Sequence, residues 1–528
     1  MSSQARMILA LVLSFAFFIT YEYFMVPQKS SSSIQAKELN QSTKQVNPMA
    51  PTQAASTAAP QDSSTAVTQQ APAVRSAHKI IAVVKGQKFR AQIDALGRIV
   101  KYEVLIERFK DQEGKYPNIV SEKYALKPLE MRFSDANLNS EAFEVPYSTN
   151  TPSLEVVNGN ETLTLTQKLS STTVTKKITF HKDGSYKLHV TLNHDIPYFI
   201  SPGFRPDEKA DMYAFKGALI RKAEGNIEKI SDGDAVGNEL FHGANIASAN
   251  DRYYTTAFYD FDNAMNVFIS KDADENPLVF VKGSPSLTLN GYMGGKEYEG
   301  LKKIDPRLTA IIEYGFFTFV AKPVFLFLKY IHGLIGNWGW AIVIMTILIK
   351  LVLFPLTYKG MVSMNKLKAL SPKIKEIQKQ HKGDPQKMNA KMMELYKKHG
   401  ANPMGGCLPM LMQIPIFFSI YRVLLNAIEL KHAPWTGWIH DLSAMDPYYV
   451  LPILMGATMF WQQRITPTNF TDPMQEKIMK FLPLIFTFFF VTFPAGLTLY
   501  WFINNLFSVA QQYYVNSIFD KEKKVALS

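Results

Sequence analysis

Residues 337–357 read NWGWAIVIMTILIKLVLFPLT, and from Trp338 to Leu356 the only charge is Lys350. At 1.5 Å per helical residue, an apolar run of this length crosses most of the ~30 Å hydrocarbon core of a bilayer. Trp338 and Trp340 open it, as residues of an interfacial aromatic belt do. The chain is read from this segment as a membrane protein. Four further apolar spans follow, about Gly406–Ile428, Tyr448–Trp461, Ile478–Phe493 and Leu497–Tyr514. Several are short, which a locally thinned bilayer or shelter by neighbouring helices accommodates. Trp435, Trp438, Tyr448 and Tyr449 flank them, and Pro494-Ala495-Gly496 makes a tight turn between the last two.

The averages hide this. Over 528 residues the hydrophobic content is 47%, with 57 Lys+Arg against 45 Asp+Glu and a net charge of +12. Mean hydropathy is −0.06, an ordinary soluble value, because the apolar residues are gathered after Arg307 and at the N-terminus. The single cysteine, Cys407, excludes an intramolecular disulfide and any Cys-rich metal site.

Upstream, Met7–Val26 is apolar apart from Glu22. A cleavable signal peptide requires small residues just past the apolar run, whereas Tyr21-Glu22-Tyr23-Phe24 is bulky, so residues 1–26 are expected to form an uncleaved transmembrane signal anchor. Arg6 before it and Glu22 at its far end favour an inside N-terminus. Residues 27–78 hold no Phe, Tyr or Trp and read as a disordered periplasmic linker, its ends ~40 Å apart on average. Residues 79–306 read as a large periplasmic β-sandwich. Val174, Ile178 and Phe180 alternate with polar residues up to Asp183-Gly184, and Tyr186, Leu188, Val190 and Leu192 alternate after it, which predicts a hairpin with a type I′ turn. Residues 307–335 mix Glu313, Lys322, Lys329 and His332 with Phe and Leu, as an amphipathic interfacial helix does.

Charge then orients the remainder. Residues 358–405 carry eleven lysines against Glu376, Asp384 and Glu394, which places this segment in the cytosol. That holds only if 307–335 does not span. The loop Glu429–Pro447, with one Lys against Glu429, Asp441 and Asp446, then lies outside. The expected architecture is a six-span α-helical bundle with both termini cytosolic: the anchor, five spans within residues 336–517, and a short cytosolic tail over 518–528. The basic loop 358–405 reads as a helical hairpin, with Ser371-Pro372 as N-cap and N1, a break at Gly383-Asp384-Pro385 and an end at Gly400. Two readings fit it, a solvated topology determinant packed on itself or a basic platform for ribosomal RNA, a targeting receptor or lipid headgroups.

Lys350 lies about 9 Å from the cytosolic end of its span. Either it snorkels to the headgroups or it faces the bundle interior or a wet cavity, where a buried ion is costly and so usually functional. No Asp or Glu stands inside a neighbouring span to pair with it, which disfavours a proton relay or ion-coupled transporter. Thr346, Gln413, Arg422, Tyr500, Trp501, Asn504 and Asn505 are the polar or amphipathic groups available to line one groove with it, or to act as interhelical glue. There is no Walker A loop, HExxH or nucleophile elbow, and no catalytic residue, cofactor or metal site is expected. Cys407 reads as a helix-start packing residue, and His440-Asp441 as an interfacial turn.

The segments GNWGWAIVIMTILIK, NPMGGCLPMLMQIPIFFSIY, WIHDLSAMDPYYVLPILMGATMF, TDPMQEKIM and FPAGLTLYWFINNL resemble the YidC/Oxa/Alb family of membrane protein insertases. The anchor, linker and β domain are similar to the Gram-negative form with a large periplasmic domain. The resemblance implies a protein of the bacterial inner membrane that inserts and helps fold other membrane proteins, alone or with the Sec translocon, and is not an enzyme. It implies a positively charged hydrophilic groove open to cytosol and lipid and closed to the periplasm, working without nucleotide or metal. Lys350 falls on the groove cation, usually Arg, and keeps the charge while losing the planar fork. Thr346 and Gln413 fall on groove-lining positions. Tyr500 and Trp501 fall on a client-contacting pair that is Tyr-Tyr in the familiar form. The hairpin and the Thr466–Glu476 loop correspond to elements that receive the ribosome and targeting receptor. The tail DKEKKVALS is short, which argues against ribosome docking through it. Partners implied are nascent membrane proteins, the Sec translocon, the ribosome, a targeting receptor and the lipid bilayer, with no DNA. A small-molecule or ion transporter and a membrane-anchored periplasmic binding module remain as alternatives.

Overall fold

The structure, a computed structural model, describes residues 79–525 apart from 112, 158, 208–213, 316, 382, 401–406 and 467–472. The expected anchor and linker lie outside the described residues, as does most of the Thr466–Glu476 loop. The chain divides into two compact units between Ile312 and Glu313.

The first unit is β-rich. Four strands form one sheet in the order Ile99–Val104, Phe89–Asp94, Ile80–Gly86 and Ser153–Val156, the last pairing parallel. Twelve antiparallel strands form the other, running from Met131–Phe133 at one edge to the meander Ser185–Leu192, Thr173–Phe180 and Glu161–Lys168 at the opposite edge. The sheets meet through aromatic side chains. Phe89 stacks on Tyr102 with ring centroids 5.3 Å apart and on Phe180 at 5.9 Å. Inward Val174, Ile178, Phe180, Tyr186, Leu188 and Val190 are buried as the period-two pattern requires.

The hairpin turn differs from the expected type I′. Its loop is Lys182–Gly184, closed by the Gly184 N–H on His181 O and the His181 N–H on Ser185 O. Type I′ needs positive φ at both central residues, yet of the loop residues only Gly184 adopts it, at 93°. This is the three-residue loop in which a left-handed glycine forms the bulge. The same strand carries a surprise on its inward face. Lys176 is fully buried, donating from Nζ to Gly97 O at 3.1 Å and Leu129 O at 2.8 Å, with the Tyr147 ring 4.6 Å from it. Beside it run the buried ion pairs Arg98–Asp94, Arg98–Glu130 and Arg132–Glu130.

The second unit is helical: Thr318–Ile335, Trp338–Ala369, Ser371–Gln380, Pro385–Lys398, Cys407–Asn426, Val450–Ile465, Pro473–Phe490 and Ala495–Val525. By length and apolar composition alone, Thr318–Ile335 and Trp338–Ala369 suffice to cross a membrane among the described residues. Thr318–Ile335 falls within the segment expected to be an amphipathic interfacial helix. Its buried residues, Ala321, Phe325, Leu328 and Ile331, form one stripe, while Phe319, Leu326, Tyr330 and Leu334 are exposed.

Two details of the basic loop change. The helix begun at Trp338 does not stop at Leu356 but continues to Ala369, so Lys359, Lys366 and Lys368 ride on its extension. Ser371 is already helical, and the N-cap is Leu370, without a side-chain cap. Asp384 does cap the next helix, accepting from the Lys387 N–H at 3.0 Å.

Candidate functional site

The helices around Lys350 alternate in direction, as paired contacts along their lengths demonstrate. Lys350 meets Ser508 and Asn365 meets Asn516, so Trp338–Ala369 and Ala495–Val525 run parallel. Gln413 meets Asn504, Phe417 meets Trp501 and Tyr421 meets Phe493, so Cys407–Asn426 runs antiparallel to the last helix. Trp461 meets Tyr513 and Ile465 O meets Asn516, giving Val450–Ile465 the parallel sense. Gln463 bonds Met479 O while Gly456 lies against Thr487, giving Pro473–Phe490 the opposite one.

Within this arrangement Lys350 is 7% exposed, and its Nζ donates to Ser508 Oγ at 2.7 Å. Ser508 Oγ in turn donates to Asn504 O at 2.8 Å. Gln413 Nε2 donates to Asn504 Oδ1 at 3.2 Å. Lys350 and Gln413 are thus brought together through the last helix, into one hydrogen-bonded chain across three helices. The Lys350 side chain turns toward the last helix.

The other expected site residues stand apart from that chain. Thr346 is buried one turn away, but its hydroxyl bonds back to Ile342 O at 2.7 Å, the usual habit of threonine within a helix. Tyr500 is buried. Trp501 is half-buried in an aromatic cluster with Phe417, Phe486 and Phe490, and its Nε1 finds no hydrogen-bond partner among the described residues. Arg422 does not join the groove set. It pairs with Glu313 at 3.7 Å, and Asn426 Nδ2 donates to Glu313 O at 3.1 Å, so this cation anchors the segment leading into Thr318–Ile335.

Sequence reasoning missed Ser508 and the amide cluster beyond it. Asn516 Oδ1 accepts from Asn365 Nδ2 at 3.0 Å and Gln512 Nε2 at 2.8 Å, and its Nδ2 donates to Ile465 O at 3.2 Å. The signal was available: Asn504, Ser508, Gln512 and Asn516 recur every fourth residue, one face of a helix. Ending the span at Tyr514 hid only its last member, Asn516.

At the opposite end, the loop after Asn426 ties the bundle together. Asn337 caps its own helix at the Trp340 N–H and donates to Pro434 O and Trp435 O. A Cβ on Gly339 would come within 2.2 Å of the Trp435 ring, so only glycine allows that approach. The Ala495 N–H donates to Ala444 O and the Gly496 N–H to Leu442 O. Buried Asp446 accepts from Trp438 Nε1 and from the Tyr448 and Leu451 N–H groups. Asp441, beside His440, accepts from the His432 N–H and from Ser443, an organised turn.

Comparison with known proteins assigns the class. Residues 82–327 match the family described as YidC periplasmic domain, and residues 330–523 match the family described as 60Kd inner membrane protein. Proteins named membrane protein insertase YidC are similar over nearly the whole chain. The one from Campylobacter jejuni is 54% identical, covering 98% of this chain and 97% of its own. That from Wolinella succinogenes is 50% identical, covering 99% and 96%, and that from Helicobacter pylori strain 26695 is 44% identical, covering 99% and 98%. The chain belongs to the YidC family of membrane protein insertases, inner-membrane proteins with a periplasmic domain.

Proposed function

We propose that this chain inserts nascent membrane proteins into the inner membrane and assists their folding by drawing the polar end of a client into a groove around Lys350. One observation carries the reading. Lys350 is a buried cation whose Nζ bonds a neutral hydroxyl, and no Asp or Glu lies within Trp338–Leu356, Cys407–Asn426, Val450–Ile465 or Ala495–Phe519. A cation without a carboxylate partner in these segments suits transient attraction of an acidic or polar segment better than a fixed relay.

The alternating helix directions support five consecutive crossings, with Lys350 reached from the side of the basic helices Ser371–Gln380 and Pro385–Lys398. That side is the cytosolic one by charge. The tie between Asn337, Trp435, Asp446 and Ala495 closes the far end, so the groove stops partway. The amphipathic helix Thr318–Ile335 lies in the interface, and both termini are cytosolic. The basic helices are the docking platform for the ribosome and a targeting receptor, and larger clients use the Sec translocon as well. Thr346, Gln413, Tyr500 and Trp501 line the client path.

The experiment uses the purified full chain in liposomes free of other protein, a single-span client with an acidic tail, and protease protection of that tail. A charge pair about 5 Å apart at an effective dielectric near 20 is worth about 3 kcal/mol. Lys350→Ala is therefore expected to lower protection on the order of 100-fold for the acidic tail, with Lys350→Arg close to the parent. Equal insertion of every client by Lys350→Glu would overturn the reading.

A further inference from the structure

Ser508 receives the only hydrogen bond recorded from Lys350 Nζ among the described residues, and its own geometry is not free to vary. Its hydroxyl hydrogen is committed to Asn504 O, so the oxygen's lone pairs are what face Lys350. Asn504 is held in turn by Gln413 from a third helix. Without that acceptor, a lysine about 9 Å from the end of its span has the reach to carry its ammonium toward the headgroups.

We infer that Ser508 is the positioning residue for the groove cation: its hydroxyl holds Lys350 inward, at the depth where a client's acidic tail meets it. This rests on the insertase function proposed above and extends it from the charge to the group that sets the charge's location. Ser508 need not touch the client. It acts through Lys350.

Both residues are tested in the full chain in liposomes, with two single-span clients that differ only in having an acidic or a neutral tail. Ser508→Ala is expected to lower protection of the acidic tail about tenfold, the lower end for a hydrogen bond to a charged group. The neutral-tailed client should stay within about twofold of the parent. Ser508→Thr, which keeps the hydroxyl, should restore the acidic client. In a Lys350→Met background, Ser508→Ala should change nothing further, because the group it positions is gone. Equal losses for both clients, or a Ser508→Ala effect that persists undiminished beside Lys350→Met, would make Ser508 a packing residue and overturn the inference. Failure of the groove function itself has a separate signature, in which Lys350→Met alone leaves both clients unaffected. Should Ser508→Ala reduce folded protein, the Ser508→Thr and Lys350→Met arms still decide, because each is read as a ratio between the two clients.

Discussion

Replacing Lys176 with methionine tests the most unusual group in the β-rich unit. Burial pushes the Lys176 ammonium down to about 7, against the pull of Asp94 and Glu130 and with the push of Arg98. In the unfolded chain a lysine titrates near 10.4. Between those values the unfolded state binds a proton that the folded state lacks, so the Lys176 contribution to stability rises with pH across that window. Below about 7 both states are charged, and the burial penalty is present in full. A gap of about three units corresponds to roughly 4 kcal/mol. Methionine removes this dependence but leaves Gly97 O and Leu129 O without their donor, a cost of about 1–3 kcal/mol each that does not vary with pH. Tyr147, whose ring faces the ammonium, is itself held above its usual range by burial and so stays neutral through the window. The assay is the urea midpoint of the first unit, followed by pulse proteolysis of the full chain in nanodiscs between pH 6 and 10. Parent stability minus Lys176→Met stability is expected to be flat below pH 7 and to climb by several kcal/mol toward pH 10. A difference that stays constant, or that falls with pH, would refute the argument that this lysine is folded at an electrostatic cost.

Two further perturbations address the helical unit. Arg422→Ala removes the Arg422 end of the ion pair with buried Glu313, so a loss of up to about 3–5 kcal/mol is expected, read as a lower thermal midpoint and faster proteolysis before Thr318. The exchange Arg422→Glu with Glu313→Arg should recover part of it. Asn516→Ala removes one acceptor shared by Asn365 and Gln512 and the donor to Ile465 O. It should cost about 1–3 kcal/mol and speed hydrogen exchange at the end of Val450–Ile465 over that of its start, whereas uniform exchange would show that the amide cluster does not hold that end.

The apolar run from Trp338 and the β meander were legible in the sequence because burial writes itself as period. Val174, Ile178 and Phe180 announce a strand face, and the run from Trp338 announces a helix whose length a bilayer selects. What period cannot report is which partner a polar residue on the buried face will find. Lys176 sits in register with those three hydrophobes, and nothing local distinguishes it from an outward lysine. Its two carbonyl acceptors come from residues 79 and 47 positions away. Arg422 and Lys350 look alike in sequence, both cations in apolar runs, yet the Arg422 carboxylate partner lies outside any span, at Glu313. Helix ends failed for a related reason. The apolar run ends at Leu356, but helical hydrogen bonding continues to Ala369 without regard to what the side chains meet.

The contrast between the two buried cations, Lys350 and Arg422, says most about how the helical unit divides its charges. Arg422 is matched by a carboxylate and a side-chain amide that bonds the backbone of the same acidic residue, Glu313. Its charge is neutralised within the protein and serves architecture. Lys350 is met by a hydroxyl, which orients an ammonium but cannot neutralise it. A buried charge in that condition keeps an unspent affinity for any anion able to enter. Carrying a client's polar tail through ~30 Å of hydrocarbon would cost several kcal/mol for each unsatisfied backbone group. In the mechanism proposed above, a cation part of the way in would shorten that dry path and offer an acidic tail a favourable stop. Burial of the client's apolar segment in lipid, at ~25 cal/mol per Å², then supplies the force to leave. The stop must be weak for this to work. A carboxylate beside Lys350 would cancel the attraction, and a rigid bidentate site would retain the tail. On that proposal, a single lysine held by a serine would satisfy both limits.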